Sequence, residues 1–196
     1  SSEELTALRR HYWKLVGEMV NAEVGDNRLL DKLPLNLIEV GLISRLFPNS
    51  PIVVVLRDPR DCCLSCFMRA FAPNQAMINF STLEDTARFY SAVMDYWLQI
   101  RPLLKSHYLE IRYEDLVSDL EGTTRQLIAH IDGEWNDSVL RFFEHSGKRT
   151  VRTPSYSDIS QPIFNRAVGR WRNYEHHMKV ALEILQPYVK EFGYDQ

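Results

Sequence analysis

The feature that most constrains the fold is a five-residue apolar segment, Ile52–Leu56, which leads directly into the charged sequence Arg-Asp-Pro-Arg-Asp at 57–61. Four of its five residues are β-branched, which is typical of a strand buried on both faces of a parallel sheet. Asp58 is a good helix N-cap and Pro59 suits the first helical position, so a helix is predicted to begin directly after the strand. Ligands bind at the carboxyl ends of parallel strands, and free helix N–H groups favour anions, so this junction is predicted to bind an anion.

Side chains around the junction have the chemistry to hold a phosphate. Arg57 stands at the end of the strand, and in a helix from Pro59 the residues Asp61, Ser65 and Arg69 recur every four positions on one face. A phosphate would accept forked bonds from an arginine, one from a hydroxyl and others from a second arginine. Alternatively, the two arginines of segment 57–61 pair with its two aspartates, which fits the spacing as well.

Apolar periodicity along the rest of the chain predicts one α/β unit with few strands. A second strand is predicted at residues 108–113, where apolar and polar residues largely alternate. Helices are predicted at residues 3–22, 34–47, 82–105, 114–131, 136–145 and 176–191, and a long polar loop at 146–168. Two strands are too few for a stable parallel sheet, which predicts that part of the domain lies outside this chain.

Length and composition exclude several classes of protein. A chain of 196 residues, 45% hydrophobic and 25% charged, is typical of one globular domain. The longest apolar run has five residues, far below the ~20 of a membrane span, and the N-terminus does not resemble a secretory signal. Three cysteines within five residues, Cys62, Cys63 and Cys66, argue against disulfides and for a reducing compartment. We therefore expect a soluble cytoplasmic protein without a membrane partner, and the scattered histidines predict no metal site.

The charge distribution indicates a small anionic ligand. The net charge is −3, whereas residues 141–175 hold seven basic and three acidic residues, a local net charge of +4. A nucleic-acid groove needs a basic surplus over the whole domain, so no nucleic-acid partner is predicted.

A thiol redox protein is a minor alternative, suggested by Cys63-Leu64-Ser65-Cys66. This Cys-x-x-Cys sequence follows a predicted strand and lies near the start of a helix, as in thioredoxin-like sites. There the first cysteine occupies the helix N-terminus. A helix that begins at Pro59 instead places both cysteines beyond that end, on the apolar face.

Four segments occur in a fixed order: Asp-Lys-Leu-Pro-Leu-Asn at 31–36, the junction at 57–69, Arg-Tyr-Glu-Asp-Leu at 112–116, and a late stretch at 153–174 that ends in Gly-Arg-Trp-Arg-Asn-Tyr. Together they resemble the sulfotransferases that use 3′-phosphoadenosine 5′-phosphosulfate (PAPS), especially bacterial ones associated with tetratricopeptide repeats and the protein-tyrosine sulfotransferases. The resemblance implies an α/β, P-loop NTPase-like fold with a parallel sheet flanked by helices, here incomplete and helix-rich. It also implies transfer of a sulfuryl group from PAPS to the hydroxyl or amine of an unidentified acceptor, without a metal.

The resemblance assigns roles to two of these segments. Arg57, Ser65 and Arg69 match the positions that bind the 3′-phosphate of the donor. Lys32 matches the lysine that contacts the transferred sulfuryl group and the leaving oxygen, and it inherits the catalytic role.

The other two segments match the nucleotide side of the family site. Tyr113 would lie beside the adenosine, and Ser155 and Arg170 match further positions that contact the nucleotide. One departure is visible, because Asp158-Ile159 stand where the family commonly has Gln-Val. An added negative charge there fits a polyanionic ligand poorly.

The family also has a glycine-containing loop for the 5′-phosphosulfate, after a strand upstream of the lysine segment. The first 31 residues show only a helical pattern and a loop. We therefore expect residues 1–196 to form a single sulfotransferase domain that lacks this N-terminal strand and loop. His11, Glu18 and Glu23 are interpreted as surface residues, so no base is assigned. The alternative is a catalytically silent remnant that binds only the 3′-phosphoadenosine part of the donor.

Overall fold

The computed structural model describes residues 2–20, 25, 28–69, 71, 74, 76–146 and 165–195. The chain divides into two compact units, each formed from two stretches of sequence. The first unit contains Ser1–Ile52 and Asp95–Tyr108, and the second contains Val53–Met94 and Leu109–Gln196.

Helices dominate the structure. The α-helices of the described residues are α1 Ser2–Val20, α2 Val40–Leu46, α3 Pro59–Phe67, α4 Leu83–Ile100, α5 Tyr113–Ser118, α6 Leu120–His130, α7 Phe142–Ser146 and α8 Lys179–Glu191. Short 3-10 helices occupy Pro34–Leu37, Met77–Phe80, Arg101–Leu103, Asp137–Arg141 and Arg170–His177. Among the described helices, none has both the length and the apolar character needed to cross a membrane.

Within the described residues, the sheet consists of two parallel strands, β1 Ile52–Leu56 and β2 Tyr108–Arg112. Both strands lie where the sequence predicts them. Val54 and Leu56 are buried, but Val55, which points to the opposite face, is 58% exposed. The prediction that β1 is covered on both faces is therefore wrong for the described part of the chain, since Val55 is open to solvent.

In the first unit, α1 and α2 lie side by side. The Arg9 Nε donates a hydrogen bond of 2.7 Å to the Leu46 carbonyl, and the rings of Tyr12 and Trp13 pack edge-on against Phe47. No residue of α1 is buried. The helix predicted at 34–47 forms as two pieces, because the backbone N–H groups of residues 38 and 39 bond to carbonyls three residues back, in 3-10 geometry.

In the second unit, α3 packs against α8 through two apolar clusters. One cluster contains Cys63, Ala87, Ala181 and Leu185, and the other contains Leu64, Trp171 and Met178. Tyr188 of α8 reaches the first part of α4, where its hydroxyl accepts a 2.8 Å hydrogen bond from Ser91. These contacts hold the helix that follows β1 against the C-terminal segments of the same unit.

Several helices are shorter than their apolar periodicity predicts. The helix predicted at 114–131 is interrupted at Asp119, whose carboxylate caps α6 by accepting a 2.9 Å hydrogen bond from the Gly122 N–H. The last helix is preceded by the 3-10 helix Arg170–His177, so α8 begins three residues later than predicted. Its predicted end is confirmed, since Gly193 follows it at φ +70°, where glycine is favoured.

Candidate functional site

The junction between β1 and α3 forms as predicted. Asp58 caps α3 by accepting a 2.9 Å hydrogen bond from the Arg60 N–H, and Pro59 occupies the first turn. Asp58 is buried, and its own N–H donates a 3.0 Å hydrogen bond to Glu114 at the start of α5. The strand-to-helix turn is therefore fixed from both sides.

Arg60 has a structural role at this turn. Its Nε and Nη2 donate to the two carboxylate oxygens of Asp58 at 2.8 and 2.7 Å. Nη2 also donates to the Tyr194 carbonyl, and the guanidinium lies 4.2 Å from the centroid of the Trp171 ring. The interpretation of an internal ion pair is thus confirmed for Arg60, with Asp58 as its partner.

Arg57 is engaged differently. Its Nη2 donates a 2.7 Å hydrogen bond to the carbonyl of Ala167, a neutral acceptor. Its Nε is buried and has no hydrogen-bond partner among the residues that the structure describes. The guanidinium carbon lies 5.0 Å from the ring centroid of Tyr113, so two residues predicted to bind the nucleotide are neighbours.

Asp61 is buried and is bound by the backbone of the C-terminal segment. It is 2% exposed, and its two oxygens accept hydrogen bonds from the backbone N–H groups of Gly169 at 2.6 Å and Trp171 at 2.8 Å. Burial raises the pKa of Asp61, while the two hydrogen bonds and the positive charge of Arg57 oppose that shift. Asp61 therefore holds the backbone on both sides of Arg170.

The prediction that Asp61, Ser65 and Arg69 share one helical face is wrong at Arg69. The helix ends at Phe67, and the N–H of Arg69 bonds to the Cys66 carbonyl in a final tight turn. Arg69 is half-buried, and the positive charges of Arg57 and Arg69 both help to lower the pKa of the Cys66 thiol. Ser65, which precedes Cys66 on α3, is half-buried.

The thiols do not form the pair that a Cys-x-x-Cys redox site requires. Cys63 is buried, and its Sγ lies 3.9 Å from the Thr86 carbonyl that accepts its weak hydrogen bond. Burial raises the pKa of Cys63 well above its ordinary value. Cys66 instead shares a side-chain hydrogen bond with Cys62, and this bond is the main cause that lowers the pKa of Cys66 and raises that of Cys62. The geometry therefore does not favour a Cys63/Cys66 redox site.

This arrangement predicts an order of thiol reactivity. In a titration with iodoacetamide at increasing pH, Cys66 should be alkylated first, because the thiolate is the reactive form and neighbouring groups favour it there. Cys63 should be alkylated last. Peptide mass spectrometry of the native protein measures the order, and a denatured sample serves as the control in which the three rates converge. Fast alkylation of Cys63 at neutral pH would restore the redox alternative.

The remaining predicted residues occupy separate parts of the chain. Lys32 is exposed and belongs to the first unit, beside Asp31, which accepts 3.1 Å hydrogen bonds from the Tyr12 hydroxyl and the Asn36 amide. Arg170 is exposed in the second unit, with its guanidinium carbon 6.0 Å from the Tyr174 ring centroid.

Other predictions concern the loop, the base and metal ions. Ser155 and most of the predicted loop at 146–168 lie outside the described residues, as does Glu23. His11 and Glu18 are exposed on α1, and Glu18 lies 3.9 Å from Lys14. Within the described ranges, no three His, Cys, Asp or Glu side chains are grouped to hold a metal ion.

The sequence patterns missed the contribution of Glu114 and Tyr194. One oxygen of Glu114 accepts the Asp58 N–H, and the other accepts a 2.9 Å hydrogen bond from the Tyr194 hydroxyl. Burial raises the pKa of Tyr194, and the hydrogen bond to Glu114 adds to that effect. The position of Glu114 directly after Tyr113 was the available signal, but Tyr194, the hydrogen-bond partner of Glu114, lies 80 residues away in the chain.

Comparison with known proteins identifies the family. Residues 1–137 match the model of the sulfotransferase family. An uncharacterized protein of Aquifex aeolicus (strain VF5) is 29% identical over 168 residues, which cover 84% of this chain and 21% of that protein. Protein-tyrosine sulfotransferase A of Caenorhabditis elegans is 23% identical, covering 86% of this chain and 45% of its own length. Protein-tyrosine sulfotransferase 2 of Gallus gallus is 25% identical, and the match covers 85% of this chain and 46% of that protein.

The chain spans less than half the length of each of these three relatives. The family has a P-loop-like fold, which agrees with the helix-rich structure around a small parallel sheet and confirms the expected fold class. Because the family match covers 137 of the 196 residues, the chain belongs to the sulfotransferase family.

Proposed function

We propose that the protein transfers a sulfuryl group from PAPS to a hydroxyl or amine, and that the β1–α3 junction binds the 3′-phosphate of the donor. The observation that carries the proposal is the state of Arg57. It stands at the carboxyl end of β1, its hydrogen bond goes to a neutral carbonyl, and its buried Nε has no partner in the described part of the chain. A phosphate oxygen would satisfy this donor without breaking an existing ion pair.

The charges around the junction support an anionic ligand. Arg60 is neutralised by Asp58 through two hydrogen bonds, so it holds the turn and does not serve the ligand. Arg57, which precedes α3, and Arg69, which follows it, both place positive charge close enough to affect the Cys66 thiol, and Ser65 beside Cys66 could add a hydroxyl donor. An arginine fork, a hydroxyl and a second arginine are the donors that phosphate recognition requires.

The residues beside the junction suit the rest of the nucleotide. Tyr113 packs its ring against the guanidinium of Arg57, so an adenosine next to this ring would lie close to the phosphate donors. Arg170 lies between Gly169 and Trp171, whose N–H groups Asp61 holds, and by family resemblance it would bind the nucleotide. Ser155 has the same role by family resemblance.

In the reaction, the S–O bond to the donor's phosphate breaks while a bond from sulfur to the acceptor oxygen or nitrogen forms, so that 3′-phosphoadenosine 5′-phosphate leaves and the acceptor's proton passes to solvent. PAPS supplies the sulfuryl group when bound. Lys32 would donate to the leaving oxygen and the sulfonate, neutralising the charge that develops there. Arg57, Ser65 and Arg69 would fix the position of the donor, and this positioning lowers the entropic cost of the reaction. The residues assigned here supply these effects without a metal.

A binding protein without transferase activity is the second candidate. It is favoured by the positions of His11 and Glu18, which are exposed on α1, so no base is identified in the described residues. Formation of 3′-phosphoadenosine 5′-phosphate from PAPS, with and without added hydroxyl or amine acceptors, separates the two candidates. Nucleotide binding without any transfer would support the second.

The proposed 3′-phosphate site is tested by calorimetry on the protein itself. We expect 3′-phosphoadenosine 5′-phosphate to bind at least about tenfold more tightly than adenosine 5′-phosphate, since hydrogen bonds to charged groups contribute about 1.5–3 kcal/mol each. Adenosine 5′-phosphate is the matched control because it lacks only the 3′-phosphate. Equal affinity for the two nucleotides would overturn the proposal.

A further inference from the structure

We propose that Asp61 is a positioning residue that fixes Arg57 and Arg170 relative to each other by holding the backbone segment 167–171 against α3. This inference rests on the proposed function, because it explains how two side chains from distant parts of the chain reach one nucleotide. Neither the family motif nor the spacing of residues 57–69 assigns this role to Asp61.

The first support is the geometry of the Asp61 carboxylate. Its Oδ2 accepts the Gly169 N–H at 2.6 Å, and its Oδ1 accepts the Trp171 N–H at 2.8 Å. Both oxygens are therefore used, and they hold the residues immediately before and after Arg170. The direction in which Arg170 leaves the backbone depends on these two bonds.

The second support is that the same segment is attached to Arg57. The Ala167 carbonyl accepts the 2.7 Å hydrogen bond from the Arg57 Nη2. Three hydrogen bonds thus join a stretch of five residues to the strand-to-helix junction, one from Arg57 and two to Asp61. A displacement of this stretch would move the Arg57 guanidinium and the Arg170 backbone together.

The third support is the contrast in burial. Asp61 is 2% exposed and Trp171 is 8% exposed, whereas Arg170 between the two anchored residues is exposed. A buried carboxylate is costly unless its oxygens are satisfied, and here two backbone donors and the nearby charge of Arg57 compensate it. The buried anchors leave the Arg170 side chain free to face a ligand.

Gly169 makes this arrangement possible. It has φ +69°, which lies in the left-handed region, and a Cβ at this position would also meet the side chain of Arg172. Gly169→Ala therefore disturbs the segment from its other side without changing Asp61. It provides a second, independent variant for the experiment.

The experiment measures the ratio of affinities for 3′-phosphoadenosine 5′-phosphate and adenosine 5′-phosphate in Asp61→Asn. The amide keeps the size of the side chain but offers one acceptor oxygen instead of two. We expect the affinity ratio to fall about tenfold, with a smaller fall in Gly169→Ala. Amide hydrogen exchange without ligand should become faster at residues 169 and 171 in Asp61→Asn.

A double-mutant cycle distinguishes positioning from general stability. In an Arg170→Ala background, Asp61→Asn should lower the ratio much less than in the parent protein, because Asp61 acts partly through Arg170. Arg125 is an exposed arginine that pairs with Glu121, and in an Arg125→Ala background Asp61→Asn should lower the ratio as much as in the parent protein. If Asp61→Asn lowers the ratio equally in the Arg170→Ala and Arg125→Ala backgrounds, the inference is overturned.

The outcomes separate this inference from the function on which it rests. If the parent protein shows no preference for the 3′-phosphate, the proposed function fails. Amide hydrogen exchange at residues 169 and 171 then still tests whether Asp61 holds this backbone segment. If the parent shows the preference but Asp61→Asn leaves the ratio unchanged, only the role of Asp61 is rejected. If Asp61→Asn fails to fold, the affinity ratio is measured for Gly169→Ala in the parent protein and in the Arg170→Ala background, which gives the same comparison.

Discussion

Replacing Arg57 by alanine is expected to lower the affinity for 3′-phosphoadenosine 5′-phosphate by about 100-fold, measured by isothermal titration calorimetry. The loss corresponds to one or two charge-assisted hydrogen bonds of about 1.5–3 kcal/mol each. The affinity for adenosine 5′-phosphate should change by only about threefold, because the lost donors are proposed to serve the 3′-phosphate. Arg57 is the appropriate target because its buried Nε lacks a partner in the described residues.

Two further variants control this experiment. Arg57→Lys keeps the charge but loses the planar fork, so its affinity should lie between those of the parent and the alanine variant. Arg88→Ala removes an exposed arginine that pairs with Glu84 at 2.7 Å and should leave both affinities unchanged. If Arg57→Ala weakens both nucleotides equally, Arg57 supports the fold through Ala167 or contacts another part of the nucleotide, and the 3′-phosphate assignment fails.

The part of the site that sequence reasoning predicted is encoded over short distances. The β-branched residues of β1, the capping carboxylate of Asp58 and the fixed φ of Pro59 each act on their immediate neighbours. Their combined effect is a strand that turns at once into a helix, and it is visible in ten consecutive residues. The position of Arg57 at the end of this strand follows directly.

Two features of the site could not be read from spacing. Periodicity indicates which face a helix buries but not where the helix stops, so the four-residue spacing predicts a helix that includes Arg69, whereas α3 ends at Phe67. The partners of Asp61 stand 108 and 110 residues away in the chain. A four-residue repeat placed this carboxylate beside Ser65, whereas tertiary packing directs it to segment 167–171.

The exposed face of β1 has the same kind of cause. Val55 is as apolar as its neighbours, and the sequence predicts that it is buried, yet it is 58% exposed with two described strands in the sheet. Burial depends on which elements pack against a strand, whereas the strand's own residues indicate only the environment that they favour. The small number of strands, by contrast, was predictable from the few β-type segments.

Replacing Lys32 by alanine is expected to lower turnover by about 10²- to 10³-fold in the full-length natural protein, while the affinity for 3′-phosphoadenosine 5′-phosphate changes by about threefold or less. The expected role of Lys32 is to neutralise charge on the leaving oxygen and sulfonate, and removal of one such preorganised donor typically costs this factor in kcat. The calorimetric ligand lacks the sulfuryl group, so its binding should not depend on Lys32. Formation of 3′-phosphoadenosine 5′-phosphate from PAPS in the presence of an acceptor measures turnover.

The comparison with Arg57→Ala makes the Lys32 prediction specific. Arg57→Ala should reduce donor affinity far more than turnover at saturating PAPS, whereas Lys32→Ala should do the reverse, since Arg57 is proposed to hold the donor and Lys32 to act on the reacting group. Lys14→Ala, which removes an exposed lysine of α1 in the same unit, is the matched control and should change neither quantity. If Lys32→Ala keeps full turnover at saturating PAPS but weakens donor binding, Lys32 holds the donor in its ground state and the catalytic assignment is wrong.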